Sequence, residues 1–453
     1  MELYRKIEKD LNIWKEDEFG LLVYGPRQVG KTYILKSFLT KNFKSVCYLN
    51  LFNNFSAIKN IINTKNIDDF LMRLSLLCDI PINNETVIFV DEIQYYYTYL
   101  SRHKEIEEYF DIIYQVKTFV SERRNRIVLS GSLLRLELNS LITAPTGYLL
   151  PLEMYPLDFE EYLINSKVDQ KIIDIAKNKL NVFQTVPEYI HEKFISICNE
   201  YMLVGGMPEA VSNFLENKDF YKLKLIHRKI EGYFLLDITQ YVGDDEKLKV
   251  KEIYNLIPTE LSNPSRKFII SDIPTHSRGN NEVLSFTWLN NAGITIPTYI
   301  TNEPLIPLIK NSKRNQFKLF FEDVGLLSYR MFDSNTKLSI LNNELKTNIG
   351  FIFENFVAQE LHAHGHDTLY YYCTKKYGEV DFVLEKNQKI IPLEVKSGKS
   401  NNYHRALNNI MDIDVYDLKK AFVLSNKNVY RDGKIIYLPI YAISLMDFFT
   451  NEK

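Results

Sequence analysis

The feature that most constrains this chain is a glycine loop close to its start. An apolar run at residues 21–24 precedes the loop, and residues 33–39 after it have the pattern of a helix. The loop residues are Gly25, Pro26, Arg27, Gln28, Val29, Gly30, Lys31 and Thr32. This G-x-x-x-x-G-K-T pattern between a strand and a helix is typical of a P-loop, in which backbone N–H groups and the helix N-terminus surround phosphates. It predicts an α/β nucleotide-binding core that binds ATP.

Two acidic residues at the end of another strand extend this prediction to hydrolysis. In the loop, we expect Lys31 to contact the β and γ phosphate oxygens and Thr32 to bind Mg²⁺. The apolar run 87–90 ends in Asp91 and Glu92. Asp91 is expected to hold the Mg²⁺ shell, and Glu92 to polarise the attacking water. The pattern therefore predicts ATP hydrolysis with Mg²⁺ as a cofactor.

A third strand ends in hydroxyl side chains. The strand predicted at 126–129 is followed by Ser130, a glycine and Ser132. A hydroxyl at this edge of the sheet could sense the γ-phosphate or orient the water, which predicts a catalytic role for Ser130. The alternative is a serine that only ends the strand in a turn, and it has more weight for Ser132 than for Ser130.

Composition limits the classes of protein that fit. The 453 residues, with 45% hydrophobic and 25% charged, predict a folded chain of about three domains. The 55 Lys and Arg nearly balance the 57 Asp and Glu, so no overall field draws the chain to nucleic acid or membrane. Any DNA site must be a local basic patch. The mixed-charge start, the short apolar runs and four cysteines without a Cys-x-x-Cys pair predict a cytoplasmic protein with no membrane partner and no zinc site.

The chain pattern predicts four parts. Strands alternate with helices from residue 21 to residue 130, which favours a parallel sheet covered by helices. A charged helical stretch, a segment with short helices and prolines, and a final helix with strands follow. We expect a P-loop ATPase core at 1–165, a helical lid at 166–244, a winged helix-turn-helix at 245–344 and an α/β domain at 345–453.

A hairpin in the last part carries a second group of candidate site residues. Residues 379–385 and 389–396 both alternate with period two around a turn at Asn387 and Gln388. A two-residue turn would pair Val380 with Val395, Phe382 with Leu393, and Leu384 with Ile391 on an apolar face. The same register places Asp381 opposite Glu394 on the other face, with Lys396 beside Glu394.

Opposed carboxylates repel each other unless a cation lies between them. Glu354 lies in an apolar helical run at 351–361, where an unpaired carboxylate would be costly. A metal or Lys396 could compensate it. We expect Glu354, Asp381 and Glu394 to bind a metal, and Lys396 to orient a water or stabilise developing charge. The alternative is an ordinary hairpin with a solvated polar face, on which Lys396 only compensates Glu394.

Several motifs together resemble a known family. They are Gly25–Thr32, Val90-Asp-Glu-Ile-Gln94, Leu129-Ser-Gly-Ser132, Tyr155-Pro-Leu-Asp-Phe-Glu-Glu-Tyr-Leu163, Gly205-Gly-Met-Pro-Glu-Ala-Val211 and Asp323-Val-Gly-Leu-Leu327. Nearly the whole chain looks like the bacterial and archaeal AAA-like ATPases with a C-terminal domain of unknown function. The resemblance implies a P-loop core, a lid, a winged helix and a domain similar to PD-(D/E)XK nucleases. The residues Glu354, Asp381 and Glu394-x-Lys396 match the nuclease pattern.

One position departs from that family. Its members often have Gly-Arg before the Tyr-Pro-Leu segment, whereas Gly147-Tyr148 stands here. Arg27, Arg135 and Arg228 are the remaining candidates for an arginine that triggers hydrolysis. The sequence thus predicts an ATP-hydrolysing, DNA-associated protein with a Mg²⁺-dependent nuclease-like domain. A nucleotide-dependent switch or scaffold, whose C-terminal domain binds without cleaving, is the alternative.

Overall fold

The computed structural model describes residues 1–132, 147–268, 281–342, 344–345, 348–398 and 404–449. Contacts divide the chain into two compact units. The first, called the P-loop unit below, comprises Arg5–Tyr155 and Asn291–Gly293. The second, called the large unit, comprises Met1–Tyr4, Pro156–Asn290 and Ile294–Lys453.

The P-loop unit is built on a five-stranded parallel sheet. Its strands are β1 (Gly20–Tyr24), β2 (Ser45–Asn50), β3 (Thr86–Asp91), β4 (Ile127–Gly131) and β5 (Leu149–Glu153). Their order is β2-β3-β4-β1-β5, and every neighbouring pair is parallel. β3 and β4 are buried at every position, as expected of strands covered by helices on both faces. The predicted α/β core with a parallel sheet is confirmed.

Helices connect these strands. They are α1 (Ile7–Glu16), α2 (Lys31–Asn42), α3 (Phe55–Ile62), α4 (Ile67–Cys78), α5 (Gln94–Arg102) and α6 (Ile112–Ser121). Apolar residues of α1 and α2, among them Trp14 and Phe38, pack with β1, β3 and β4 in one core. Because parallel strands end at the same edge, the turns after β1, β3 and β4 meet there.

The large unit contains an eight-stranded mixed sheet. Its strands are β6 (Thr295–Thr301), β7 (Ser312–Phe321), β8 (Leu369–Thr374), β9 (Gly378–Lys386), β10 (Lys389–Val395), β11 (Ala421–Ser425), β12 (Tyr430–Asp432) and β13 (Ile435–Pro439). The order is β12-β13-β11-β10-β9-β8-β6-β7. This sheet holds both strands of the predicted hairpin near its middle.

The same unit contains most of the helices that the structure describes. They are α7 (Phe159–Asn165), α8 (Gln170–Asn181), α9 (Glu188–Val204), α10 (Pro208–Asn217), α11 (Phe220–Tyr241), α12 (Asp244–Ser262), α13 (Asn281–Asn291), α14 (Val324–Met331), α15 (Ser334–Leu341), α16 (Gly350–Ala363), α17 (Arg405–Met411) and α18 (Ala442–Leu445). Short 3₁₀ turns lie at Leu308–Asn311 and Asp414–Tyr416. Within the described ranges, none of the helices combines the length and the apolar character that crossing a membrane requires.

The prediction of a separate winged helix at 245–344 needs correction. Part of that segment, 269–280, lies outside the described residues. In the remainder, β6 pairs antiparallel with β7 and parallel with β8, so one sheet crosses the expected boundary at 344/345. β6 and the second half of β7 are also largely buried, unlike a wing exposed to solvent. The sequence predicted short helices here, whereas α12 has 19 residues, and it did not reveal the pairing of β6 with β8.

The hairpin register is largely as predicted. Phe382 pairs with Leu393 and Leu384 with Ile391, and the turn lies at Asn387 and Gln388. At the end away from the turn, the ladder stops at the pair of Phe382 with Leu393. The expected pairing of Val380 with Val395 is therefore wrong. The N–H of Val395 instead donates to Asp381 Oδ2 over 2.8 Å, because the carboxylate is within reach at the end of the ladder.

Candidate functional site

The P-loop has the backbone conformation that its glycines allow. Gly25 has φ +146° and Gly30 has φ +93°, a region that favours glycine. A Cβ at Gly25 would lie 2.1 Å from the backbone oxygen of Met154, so a larger residue would not fit. The loop delivers Lys31 as the first residue of α2. The predicted loop residues thus form one turn at the N-terminus of a helix, where anions bind.

Lys31 is held inside the loop. Its ammonium donates to the backbone oxygens of Gly25 (3.0 Å) and Pro26 (2.7 Å), and the residue is 5% exposed. These carbonyl oxygens lie where the loop curves, so they keep the charge at the place where phosphate oxygens would arrive. Arg5 supports the same loop, because its guanidinium donates to the Val29 oxygen over 3.0 Å.

Asp91 is the centre of a polar network at the edge of the sheet. Asp91 Oδ2 accepts from the hydroxyls of Thr32 and Tyr48, both over 2.9 Å, and from the Asn50 amide over 3.2 Å. Asp91 Oδ1 accepts from the Ser130 hydroxyl. The structure therefore brings together the predicted Mg²⁺ residues Thr32 and Asp91 and the predicted catalytic Ser130. Carboxylate and hydroxyl oxygens of this kind fit Mg²⁺, which keeps several waters.

Sequence reasoning missed Tyr48 and Asn50. Both lie on β2, and the parallel pairing sets Asn50 beside Asp91. Burial first, and the Asp91 charge next, raise the pKa of the Tyr48 hydroxyl above its ordinary value, so it stays a donor. Two polar residues with period-two spacing on a strand beside the Asp91 strand were the signal that could have identified them.

The carboxylate of Glu92 is held by two neighbours. Glu92 has φ +57°, which is unusual for a residue other than glycine. Its carboxylate accepts from the Gln94 amide and from the Ser132 hydroxyl, the latter over 3.4 Å. Gln94 is 1% exposed and also donates to Ser132 Oγ over 3.0 Å. Gln94 was not predicted, and Ser132 thus contacts a candidate catalytic residue as well as ending a strand.

The arginine candidates differ in their surroundings. The Arg27 guanidinium donates to the Tyr95 hydroxyl over 2.7 Å and lies 5.8 Å from the Phe52 ring centroid. Arg135 lies outside the described residues. Arg228 is exposed on α11 of the large unit. The trigger arginine therefore stays unassigned.

The second group of predicted residues also comes together, but around an unexpected lysine. Lys318 on β7 is fully buried, with 0% exposure. Its Nζ lies 3.3 Å from Glu354 Oε2, 2.8 Å from Glu379 Oε1 and 3.9 Å from Asp381 Oδ1. We call these four residues, with Glu394 and Lys396, the carboxylate centre. The residues that the sequence assigned to a metal thus face an ammonium group.

Further cations border the carboxylate centre. The Arg266 guanidinium pairs with Glu354, and Lys267 Nζ lies 3.8 Å from Glu379. Lys396 Nζ donates to Glu394 Oε1 over 2.6 Å. The four carboxylates, Glu354, Glu379, Asp381 and Glu394, therefore meet four basic side chains, so no excess of negative charge remains at the centre.

Glu394 differs from the other carboxylates of the centre. Burial, with the neighbouring Asp381 charge as the next cause, raises the pKa of Glu394 to about 8. Its Oε1 is bonded to Lys396, whereas its buried Oε2 has no hydrogen-bond partner among the described residues. A buried carboxylate oxygen without a hydrogen-bond donor makes the charged form of Glu394 unfavourable. Glu394 therefore binds a proton more tightly than an exposed glutamate does.

As arranged, this centre does not fit a resident divalent ion. Lys318 Nζ takes the place between the carboxylates that a metal would need. Across the residues that the structure describes, no three or more His, Cys, Asp or Glu side chains form a group that could hold a metal. The metal role of Glu354, Asp381 and Glu394, and the catalytic role of Lys396, are predictions that a metal titration can test.

Three family models match parts of the chain. Residues 18–163 match the AAA domain. Residues 196–337 match a domain of unknown function (DUF8612), and residues 349–443 match another, DUF4143. The first match covers the parallel sheet and the P-loop, and it supports an AAA-like P-loop ATPase domain there. The model over 349–443 carries no assigned function, so the nuclease resemblance of that segment stays a prediction.

Individual proteins resemble the chain more distantly. An uncharacterized protein of Methanocaldococcus jannaschii is 23% identical over 402 residues, which is 87% of this chain and 79% of that protein. A Walker-type ATPase of Pyrococcus abyssi has a TM-score of 0.43 and 15% identity, over 73% of this chain and 96% of that one. The Aeropyrum pernix ORC1 protein in complex with DNA gives 0.30 and 13%, over 75% and 94%. Likenesses at this distance carry no argument about what this chain does.

Proposed function

We propose that this protein is a cytoplasmic, Mg²⁺-dependent ATPase. The observation that carries the proposal is the hydrogen-bonded network on Asp91, which joins Thr32 of the P-loop to Ser130 of β4. The same edge of the sheet carries Lys31 and Glu92, so the groups needed for phosphate binding and for water activation share one site. Positioning and charge stabilisation are most of what phosphoryl transfer requires from a protein.

Each side chain has one task in this proposal. Lys31 exchanges its two carbonyl contacts for β and γ phosphate oxygens. Thr32 and Asp91 would hold Mg²⁺, which would neutralise phosphate charge. Ser130 keeps Asp91 oriented. Glu92 would polarise the attacking water and accept its proton as a general base.

Two variants test the assignment of ATP hydrolysis. Lys31→Ala should abolish tight ATP binding, because it removes the ammonium that neutralises phosphate charge. Glu92→Gln should keep ATP binding but stop turnover, because only water activation is lost. The matched control is Lys44→Ala, which removes an exposed lysine of the same unit. Equal turnover in Glu92→Gln and the wild type would refute the assignment.

Two proposals remain for what ATP hydrolysis drives. In the first, it drives or gates a DNA-associated, Mg²⁺-dependent nuclease-like domain, which the resemblance of Glu354, Asp381 and Glu394-x-Lys396 implies. In the second, the protein is a nucleotide-dependent switch whose C-terminal domain binds without cleaving. The ammonium of Lys318 within 4 Å of three carboxylates favours the second.

A pair of DNA experiments separates these proposals. Cleavage of single-stranded, duplex and branched DNA is measured with Mg²⁺, with and without ATP, alongside Asp381→Asn. The nuclease proposal expects cleavage that Asp381→Asn abolishes while ATP hydrolysis continues. The switch proposal expects no cleavage by either protein. A titration of DNA binding at several salt concentrations then tests DNA as a partner, because phosphate contacts give a steep salt slope.

A further inference from the structure

We infer that Lys318 Nζ is the built-in cation of the carboxylate centre, where it takes the place of a divalent metal. The large unit would then take up neither Mg²⁺ nor Mn²⁺ at Glu354, Asp381 and Glu394. This inference rests on the second of the proposed functions for the C-terminal domain. It does not depend on ATP hydrolysis by the other unit.

The first support is the position of the ammonium. Lys318 Nζ has Glu379 at 2.8 Å, Glu354 at 3.3 Å and Asp381 at 3.9 Å, so it faces three carboxylates that come from a helix and a strand. An ammonium has three N–H donors and no acceptor. It donates to Glu354 Oε2 and lies within ion-pair distance of Glu379 and Asp381, so one ammonium serves three carboxylates.

The second support is burial. Lys318 is 0% exposed and its Nζ lies 5.1 Å from the ring centroid of Tyr371, so the side chain has no solvent-exposed position. Lysine is almost never fully buried unless it is paired. The flanking residues Phe317, Leu319 and Phe320 are buried and apolar, so β7 holds the lysine in place from both sides.

The third support is charge balance. Arg266 gives Glu354 a second cation, and Lys396 pairs with Glu394, the one carboxylate of the centre for which no ion pair with Lys318 is found among the described residues. A divalent ion would add two charges to a group that has no excess of negative charge, and it would lie against an ammonium with no exit to water. Repulsion at such separations in a buried site is large. The centre therefore excludes the divalent metal that its carboxylates would bind in the absence of Lys318.

The test is a titration of the full chain with Mn²⁺ in the absence of nucleotide. Binding is monitored by calorimetry and by the decrease of the paramagnetic signal of free Mn²⁺. All proteins carry Asp91→Asn, so that the P-loop cannot contribute a metal ligand. The parent protein, which carries only Asp91→Asn, should show no stoichiometric binding of Mn²⁺. Lys318→Met, which keeps the length of the side chain and removes the charge, should gain stoichiometric binding. The control Lys419→Met removes a lysine that is 78% exposed in the same unit and should change nothing.

Each outcome bears on the inference. Stoichiometric Mn²⁺ binding by the parent, lost when Asp381→Asn is added, would overturn it and restore the nuclease proposal. A folded Lys318→Met that binds no Mn²⁺ would also overturn it, because the carboxylates would then need no cation.

A second set of variants covers the case in which Lys318→Met does not fold. Glu354→Gln and Glu379→Gln are then added to remove the uncompensated charges. Recovery of folding supports the inference, and failure to recover contradicts it. ATP turnover is measured separately, on Lys318→Met with Asp91 intact, and its loss there would speak only to the ATPase.

Discussion

Glu394→Gln should change how stability depends on pH. The side chain is 6% exposed, and burial raises the pKa of its carboxyl from 4.5 to about 8 in the folded protein. A raised pKa means that the folded state binds the proton more tightly than the unfolded state does. The stabilisation is therefore complete below pH 4.5 and is lost as the pH rises through 8.

The size of the effect follows from the same two values. At 1.36 kcal/mol for each tenfold change, the difference between pKa 4.5 and about 8 corresponds to about 5 kcal/mol. This value already includes the opposing effect of Lys396, whose ammonium lies 2.6 Å from Glu394 Oε1 and lowers the pKa. Glutamine is nearly isosteric, keeps the oxygen that accepts from Lys396 and never ionises. The variant should equal the wild type in mild acid and exceed it in stability in mild alkali.

The assay is urea unfolding between about pH 5 and about pH 9. Both proteins carry Trp14→Phe, so that Trp288 of the large unit is the remaining tryptophan reporter. Glu303→Gln, at an exposed position of the same unit, is the control and should show a constant difference from the wild type. A stability difference for Glu394→Gln that does not grow with pH would refute the argument from burial.

Three further predictions concern other contacts. Gln94→Ala frees the Glu92 carboxylate, so kcat should fall about 10- to 100-fold while KM for ATP stays constant in steady-state kinetics. Tyr48→Phe removes a hydrogen bond to Asp91 and should weaken Mg²⁺ about tenfold, measured as the Mg²⁺ dependence of turnover. Gly206→Ala would place a Cβ 2.1 Å from a backbone oxygen, and urea unfolding should show a loss of about 3 kcal/mol. Constant kcat, unchanged Mg²⁺ dependence or wild-type stability, respectively, would contradict them.

The parts that the sequence predicted correctly are those fixed by local pattern. The P-loop, the strand that ends at Asp91 and the strand that ends at Ser130 each combine an apolar run with its own terminal residues. The hairpin register followed from a two-residue turn and a period-two sequence pattern, so Asp381 and Glu394 could be placed on one face, although both faces of the hairpin are buried. In such segments the neighbours along the chain determine the structure.

The parts that were missed depend on contacts distant in sequence. β6 pairs with β8 across more than sixty positions of the numbering, and no local pattern distinguishes that pairing from a wing. Lys318 lies 36 residues before Glu354, so the hairpin and helix alone suggested a vacant place between the carboxylates. A lysine within the apolar run Phe317–Phe321 was the available signal, because a charge in a buried strand requires a partner.

The charge of the groups that contact the carboxylates distinguishes the two polar sites of this chain. Around Asp91, the donors are the neutral hydroxyls of Thr32, Tyr48 and Ser130 and the amide of Asn50. They orient the carboxylate but leave its negative charge for a cation to neutralise. Around the carboxylate centre, the donors are ammonium and guanidinium groups, which neutralise the charge themselves. From this difference in charge we expect a divalent cation to bind at Asp91 rather than at the carboxylate centre.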